Sequence, residues 1–401
     1  EGRFHLVNKL AVRRTSQFTM GIDFTDLNRD GHLDFLTVDM LSREHKRRKT
    51  QMGMMSPTPV VVGQVSNRPQ IMQNTLFLNR GDNTWAEIAQ FSGLKASEWS
   101  WATVFTDVDL DGYEDLLIST GMTRDFMDSD AIARFDERRQ KILGENLSDS
   151  QKMSLSIDLN KLYPTLEIPN VAFRNRGDLT FEDVSEEWGF TTEAVSGGMA
   201  LADFDNDGDL DVVINNDDKP LEVYRNETIA PRVAVRLVGR APNTQAIGAK
   251  VRLIGGPGGP APQEQEIHCG AGYASGSDTL AVFGTGDKTT DLKLEVTWRN
   301  GSKTVMDDIQ PNHRYVIRET DAVPASKPET QDLNPLFTNA DGKLAHAKHT
   351  GPRAPGHYHF DKPFDDFKRQ SLLPNRLSQL GPSVIWADIN GDGKEDLVVG
   401  S

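Results

Sequence analysis

The sequence predicts a mainly β chain of propeller blades, each of four antiparallel strands, followed by a small all-β domain and the start of a second propeller. Three observations predict it. An acidic nonapeptide with glycine at its sixth position recurs four times along the 401 residues. Short β-branched and aromatic runs flank each copy, with none of the 3.6-residue apolar period of a surface helix. Where the repeat is best formed, four such runs accompany the loop, the strand count of a propeller blade.

In chain order, the start Gly2-Arg-Phe4-His-Leu-Val7 resembles Leu179-Thr-Phe181-Glu-Asp-Val184, so the chain is expected to open on the last strand of an earlier blade. The first full blade reads Phe18–Phe24, Asp34–Val38, Leu76–Asn79 and Thr84–Ile88. The second reads Trp101–Phe105, Asp115–Ser119, Val171–Asn175 and Thr180–Val184. The third supplies Gly198–Ala202, Asp211–Asn215 and Leu221–Asn226. These blades span residues 1–229. A propeller closes with about 4–8 blades, so the ring is expected to be incomplete, its remaining blades coming from a longer chain or from other subunits. Two insertions, 39–74 and 121–170, interrupt the first two blades. The second has helical patterning around Asp130–Leu143 and Ser148–Leu162, making it the one helical insertion of the chain. Both follow the strand that leaves the acidic loop, so they should project from the opposite face. Residues 230–319 change to strand runs broken by Gly, Pro and Asn turns, a small all-β domain. Residues 320–335 read as a linker rich in proline and polar residues. Residues 336–401 begin a second module and contain the fourth loop.

The four loops carry the chemistry. They are Asp26-Leu-Asn28-Arg-Asp30-Gly-His32-Leu-Asp34, Asp107-Val-Asp109-Leu-Asp111-Gly-Tyr113-Glu-Asp115, Asp203-Phe-Asp205-Asn-Asp207-Gly-Asp209-Leu-Asp211 and Asp388-Ile-Asn390-Gly-Asp392-Gly-Lys394-Glu-Asp396. Hard oxygen donors at positions one, three and five, glycine for the turn at six and a backbone carbonyl at seven are calcium-loop chemistry, with the carboxylate at nine closing the shell. His32, Tyr113, Asp209 and Lys394 would contribute only their carbonyls. The loops are not EF-hands, because position twelve is Thr37, Ile118, Ile214 and Val399, none of which can ligate through a carboxylate. Up to four calcium ions are therefore expected.

These residues resemble the FG-GAP/VCBS repeat family, the propeller type of integrin α chains. The carriers are the loops and the hairpins Asn74-Thr-Leu-Phe-Leu-Asn-Arg-Gly-Asp82 and Asn170-Val-Ala-Phe-Arg-Asn-Arg-Gly-Asp178. Residues 230–319 look like the ASPIC/UnbV domain that follows such repeats in bacterial relatives of cartilage acidic protein. That match rests on Ile247-Gly-Ala249, Gly270-Ala-Gly272-Tyr273 and Val296-Thr-Trp298-Arg-Asn-Gly301, with Phe283-Gly-Thr-Gly286 departing slightly from the usual pattern. Asp366-Phe-Lys-Arg-Gln370 and Ser378-Gln-Leu-Gly-Pro382 resemble the opening of a second propeller. The resemblance implies secreted or cell-surface proteins, stabilised by calcium and used for adhesion or ligand binding, and implies no established catalytic activity.

Composition narrows the classes further. Acidic residues number 59 against 44 basic, a formal net charge of -15, which argues against nucleic acid as a partner, since phosphate needs a basic face. No apolar run approaches the roughly 18 residues of a membrane-spanning helix. Glu1-Gly2-Arg3 opens no signal peptide, so any targeting segment lies upstream or has been removed. One cysteine, Cys269, excludes an internal disulfide framework. Arg80-Gly81-Asp82 and Arg176-Gly177-Asp178 read as hairpin turns before they read as an adhesion tripeptide. His346, His349, His357 and His359 read as surface or turn histidines, and the basic run Arg43–Lys49 as a solvated loop, with an anionic glycan or partner contact as its alternative. Gly255–Pro260 lacks the Gly-Lys-Ser/Thr of a phosphate loop and reads as a hairpin tip.

The expectation is a calcium-binding extracellular or cell-surface scaffold for adhesion, glycan or protein binding, or surface assembly, with calcium structural and no catalytic residues. The alternative is a propeller enzyme acting on polysaccharide or by redox chemistry, its site on the insertion face or in further blades.

Overall fold

In a computed structural model, residues 11–51, 68–143, 148, 151, 155 and 159–323 are described, apart from 218, 260, 271–272 and 288–290, together with the strands at 384–387 and 396–399. The described residues from 11 to 323 belong to one compact unit, and the two C-terminal strands to another.

A short parallel pair, β1 (Thr15–Ser16) with β4 (Gln70–Ile71), ties the start of the described chain to the end of the first insertion. The first blade orders β2 (Gly21–Thr25), β3 (Asp34–Val38), β5 (Thr75–Asn79) and β6 (Trp85–Glu87) in one antiparallel sheet. The second orders β7 (Ser100–Thr106), β8 (Asp115–Thr120), β9 (Val171–Asn175) and β10 (Phe181–Asp183) the same way. The third consists of β11 (Ser196–Ala202), β12 (Asp211–Asn216) and β13 (Glu222–Tyr224) among the described residues.

Alternation along β8 shows why the blades stack. Leu116 and Ile118 point one way, into a core shared with Leu36, Val38 and Leu76 of the first blade. Leu117 points the other way, against Met199, Leu201, Val212 and Ile214 of the third. With side chains alternating at period two, a strand buried on both faces needs apolar residues on both, which Leu116–Ile118 supply, while the buried Asp115 and Ser119 are hydrogen-bonded. Each such leucine or isoleucine contributes roughly 1.5–3 kcal/mol, which makes the middle blade the anchor of the three.

Both insertions carry helix, not only the second. Alongside α3 (Ser129–Leu143), the basic run of the first insertion forms α1 (His45–Gln51), so the solvated-loop reading of Arg43–Lys49 is corrected. This helix has no apolar stripe, and arginine contacts within it and just ahead of it hold it instead. Arg47 reaches Glu98 Oε2 at 2.8 Å, Arg43 pairs with Asp183, and Arg48 Nη2 donates to the Ser42 carbonyl at 2.7 Å. A one-turn helix, α2 (Ala89–Ser92), follows the first blade. Leu41 and Met72 from the first insertion share an apolar cluster with Met127, Leu166 and Ile168 from the second, around Trp99. Within 148–162, Gln151, Leu155 and Leu159–Asn160 are helical among the described residues.

The domain after the blades is a two-sheet sandwich. One sheet orders β17 (Leu280–Gly284), β14 (Arg232–Val238) and β20 (His313–Arg318), with β14 and β20 parallel. The other orders β16 (Gln263–Glu266), β15 (Lys250–Ile254), β18 (Lys293–Thr297) and β19 (Lys303–Met306). Val233, Val235, Leu253, Phe283, Val296 and Trp298 fill the space between them. In the second unit β21 (Val384–Ala387) and β22 (Asp396–Val399) form an antiparallel pair.

The sandwich also sends a strap back along the inner strand of the third blade. Met199 and Leu201 N–H donate to the hydroxyls of Ser275 and Ser277 at 2.8 and 3.1 Å, and Asp278 N–H donates to the Leu201 carbonyl at 2.8 Å. Glycine at 198 permits this approach, since a Cβ there would lie 2.9 Å from Ser275 Oγ.

Candidate metal centres

The three described loops share one backbone conformation. Position four lies in the left-handed region in each, at φ 58° for Arg29, 57° for Leu110 and 62° for Asn206. The glycine at position six follows at 87°, 95° and 98°. Non-glycine residues at positive φ are uncommon, so three at matching positions mark a repeated device.

The carboxylate at position nine has a structural task of its own. Asp34 accepts Leu27 N–H at 3.0 Å and Asn79 N–H at 2.7 Å, one on each oxygen. Asp115 does the same with Val108 at 2.9 Å and Asn175 at 2.8 Å, and Asp211 with Phe204 at 2.7 Å and Asn226 at 2.8 Å. Each side chain therefore pins its loop to the third strand of its blade or the residue just past it. One hydrogen bond per oxygen leaves further acceptor capacity on each carboxylate for a cation.

In the second loop, carboxylate oxygens of Asp107, Asp109 and Asp115 all lie within 4.8 Å of one another, and in the third those of Asp203, Asp205 and Asp211 do. Oxygens on opposite sides of a calcium ion at 2.3–2.6 Å stand about 5 Å apart, so both sets are spaced for one ion. Asp107 is 7% exposed and its Oδ1 is buried without a hydrogen-bond partner, as are both oxygens of Asp203. Buried acceptors are normally satisfied, and several converging carboxylates are the donor set that a cation would satisfy. Burial raises the pKa of Asp107 and Asp115 well above the usual carboxylate range, and neighbouring aspartates add to it. A divalent ion would reverse that shift.

The first loop is more self-contained. Asp26 accepts Asp30 and Gly31 N–H at 3.1 and 2.8 Å, and Asp30 accepts His32 N–H at 2.8 Å and the Asn28 amide at 3.0 Å. With asparagine at position three it holds only three carboxylates. Burial still pushes Asp34 up to about 7. The side chains of His32 and Tyr113 face other groups: Gly81 lies close to the His32 ring, and the Tyr113 hydroxyl donates to the Gly258 carbonyl at 2.7 Å. Asp209 is 1% exposed beside Arg232. In the fourth loop Asp388, Asn390, Asp392 and Lys394 lie outside the described residues, as does the side chain of Asp396 at the head of β22. So do the four histidines from His346 to His359.

Sequence reasoning placed the insertions on the face opposite the loops but said nothing of what covers the loops. The sandwich covers them. Gly255–Gly259 follow β15 in the tip before β16, and the Pro257 carbonyl accepts Arg29 Nη1 of the first loop at 2.7 Å. The Arg29 guanidinium lies 4.4 Å from the Tyr113 ring centre in the second loop. Leu110, also of the second loop, packs with Ala234, Leu280 and Val282 of the sandwich. Arg232 and Arg314 reach the third loop. The insertions meet Trp99 and Glu98, ahead of β7, away from the loops.

The two Arg-Gly-Asp turns are built for the backbone. Asp82 accepts Thr84 N–H at 2.9 Å, and Asp178 accepts Thr180 N–H at 2.9 Å. Gly177 has φ 72°, and a Cβ there would lie 2.8 Å from the Tyr113 ring.

A separate cavity of 610 Å³ lies between the inner strands and the sandwich, lined among others by Asp23, Glu114, Glu264 and His268. Burial pushes Asp23 up to about 6 and Glu114 up to about 7. Asp23 Oδ2 accepts Phe105 N–H at 2.7 Å, joining the first two blades.

Comparison with known proteins agrees with this architecture. Residues 60–118 and 167–227 match the FG-GAP-like repeat, and residues 239–324 match the ASPIC and UnbV domain. Cartilage acidic protein 1 of Xenopus tropicalis is 26% identical over 255 residues, covering 57% of this chain and 38% of the relative. The Homo sapiens protein of that name is 25% identical over 301 residues, covering 66% of this chain and 42% of the relative. The chain thus spans about two fifths of the length of these relatives.

Proposed function

We propose that this chain, which joins FG-GAP-like repeats to an ASPIC and UnbV domain, is a non-enzymatic extracellular or cell-surface scaffold in which calcium fixes the loops that carry the sandwich. The carrying observation is the second loop, where three converging carboxylates include a buried oxygen with no hydrogen-bond partner. Asp107, Asp109 and Asp115 would hold the ion there, and Asp203, Asp205 and Asp211 in the third loop. Bound calcium supplies charge neutralisation and a rigid turn. Likeness to proteins named for cartilage, an extracellular matrix, supports a secreted or surface location. So does the loop type, since exposed extracellular calcium modules bind with dissociation constants of about 10⁻⁴–10⁻³ M, below which a cytosol would leave them empty.

With the loop face occupied by the sandwich, the face carrying the two insertions is the surface we assign to a protein or glycan partner. The enzymatic alternative draws support only from the cavity holding Asp23 and Glu114. Calorimetric titration of the chain with calcium tests the reading. Saturable heat is expected, reduced in Asp107→Asn, with magnesium giving none. Absence of calcium heat at millimolar concentration would overturn it.

A further inference from the structure

We propose that the third loop couples cation binding to the hold of the sandwich: Arg314 engages Asp203 and Arg232 engages Asp207, the first- and fifth-position carboxylates of the calcium pattern, so filling the loop and keeping both arginines in place oppose each other. The inference rests on the reading of the loops as calcium sites.

The third loop differs from the other two in which cation faces it. Arg232, at the start of β14, places Nη2 3.0 Å from Asp207 Oδ2 and 3.3 Å from Asp209 Oδ2. Its Nε and Nη2 also donate to the Asp207 carbonyl at 3.2 and 2.9 Å. Arg314, on the parallel neighbour β20, brings Nη1 3.7 Å from Asp203 Oδ2. Asp203 is the first-position carboxylate. Its counterparts Asp26 and Asp107 each accept the N–H of the loop glycine at 2.8 Å. Asp203, only 2% exposed in its side chain, has both oxygens buried with no hydrogen-bond partner. The N–H groups of Asn206 and Gly208 in its own loop still lower its pKa, but the charge that compensates it is a guanidinium of the sandwich. The second loop has an arginine too, Arg174 on Asp109 at 2.9 Å, but that residue belongs to β9 of the same blade.

Electrostatics sets the size of the effect. A calcium ion bound to Asp203 would lie roughly 6 Å from the Arg314 guanidinium. Two charges against one at that distance cost about tenfold in affinity even at the dielectric constant of water. Arg232 is 12% exposed and more poorly screened. Linkage is reciprocal: whatever the arginines cost calcium, calcium costs the arginines. Arg232 also anchors the joint between the third blade and the sandwich, donating from Nη1 to the carbonyls of Thr228 and Ala230 at 3.1 and 3.3 Å. Calcium at the third loop should therefore loosen that joint.

The test is calcium calorimetry on the whole chain, with Asp205→Asn identifying the heat that belongs to the third loop. Arg314→Gln should tighten that component about tenfold and Arg232→Gln/Arg314→Gln further, while Arg232→Lys/Arg314→Lys stays within a few-fold of the wild type. If the double glutamine variant fails to fold, Arg314→Gln alone decides, because that residue is 39% exposed in its side chain and its loss removes two long contacts, to Asp203 at 3.7 Å and to Asn206 Oδ1 at 3.4 Å. Amide exchange at residues 228–232 should quicken on adding calcium to the wild type. Unchanged or weaker third-loop binding in Arg314→Gln, with the other loops titrating normally, overturns this inference and leaves the scaffold reading standing. No calcium heat at any loop overturns both.

Discussion

Asp115→Ala separates the two tasks of a position-nine aspartate. In the wild type, Asp115 accepts Val108 N–H at 2.9 Å and Asn175 N–H at 2.8 Å and is fully buried. Alanine leaves both donors without a partner, at about 1–3 kcal/mol each. The expected loss is about 2–6 kcal/mol, partly offset by removing a buried acid. At roughly 2 °C per kcal/mol for a chain of this size, the Tm should fall by about 4–12 °C. Because the hydrogen bonds exist without metal, most of this loss should persist in chelator. Asp115→Asn keeps one acceptor but turns its NH2 toward the other N–H, so it should cost about half as much as alanine without calcium and lose further ground only with calcium present. Thermal melts followed by circular dichroism, with and without calcium, give all the values. A calcium-free Tm for Asp115→Ala equal to that of the wild type would refute the pinning role of position nine.

Asp23 sets a pH dependence. Its folded pKa of about 6 stands above the ordinary aspartate value of 3.8, chiefly through burial, so its contribution is complete below pH 4 and is lost as pH rises through 6. At 1.36 kcal/mol per unit the loss at neutral pH is up to about 3 kcal/mol. Asp23→Asn should therefore raise the Tm at pH 7 and lose that advantage by pH 4, with the Phe105 N–H still accepted; equal shifts at both pH values would contradict it. Gly177→Ala should lower the Tm by several degrees, since φ 72° and the Tyr113 ring 2.8 Å away both resist a side chain, whereas Arg176→Ala, half-exposed in the same tripeptide, should leave it nearly unchanged.

The loops and blade strands were legible in the sequence because both are local codes. The nine-residue loop states its donors and its turn, and Leu116-Leu117-Ile118 states a strand covered on both faces. The partners of position nine could have been read too, since Asn79, Asn175 and Asn226 recur at the ends of the third strands. Two features were not legible. The helix α1 has no apolar period, and forms because Arg47 finds Glu98 and Arg48 finds the Ser42 carbonyl, pairings fixed only by the tertiary fold. The docking of the sandwich on the loop face depends on contacts between distant residues, such as Arg29 with Pro257 and Arg232 with Asp207, which no periodicity encodes.

Thermal unfolding of the whole chain in millimolar calcium, in matched magnesium and in excess chelator tests the central claim most directly. If the loops bind calcium only when folded, stability rises as RT ln(1 + [L]/Kd). The account predicts a Tm several degrees higher in calcium than in chelator, with magnesium close to chelator and the gain reduced in Asp107→Asn. A single melting curve shared by all three conditions, with metal analysis showing the chelated chain to be calcium-free, would contradict it.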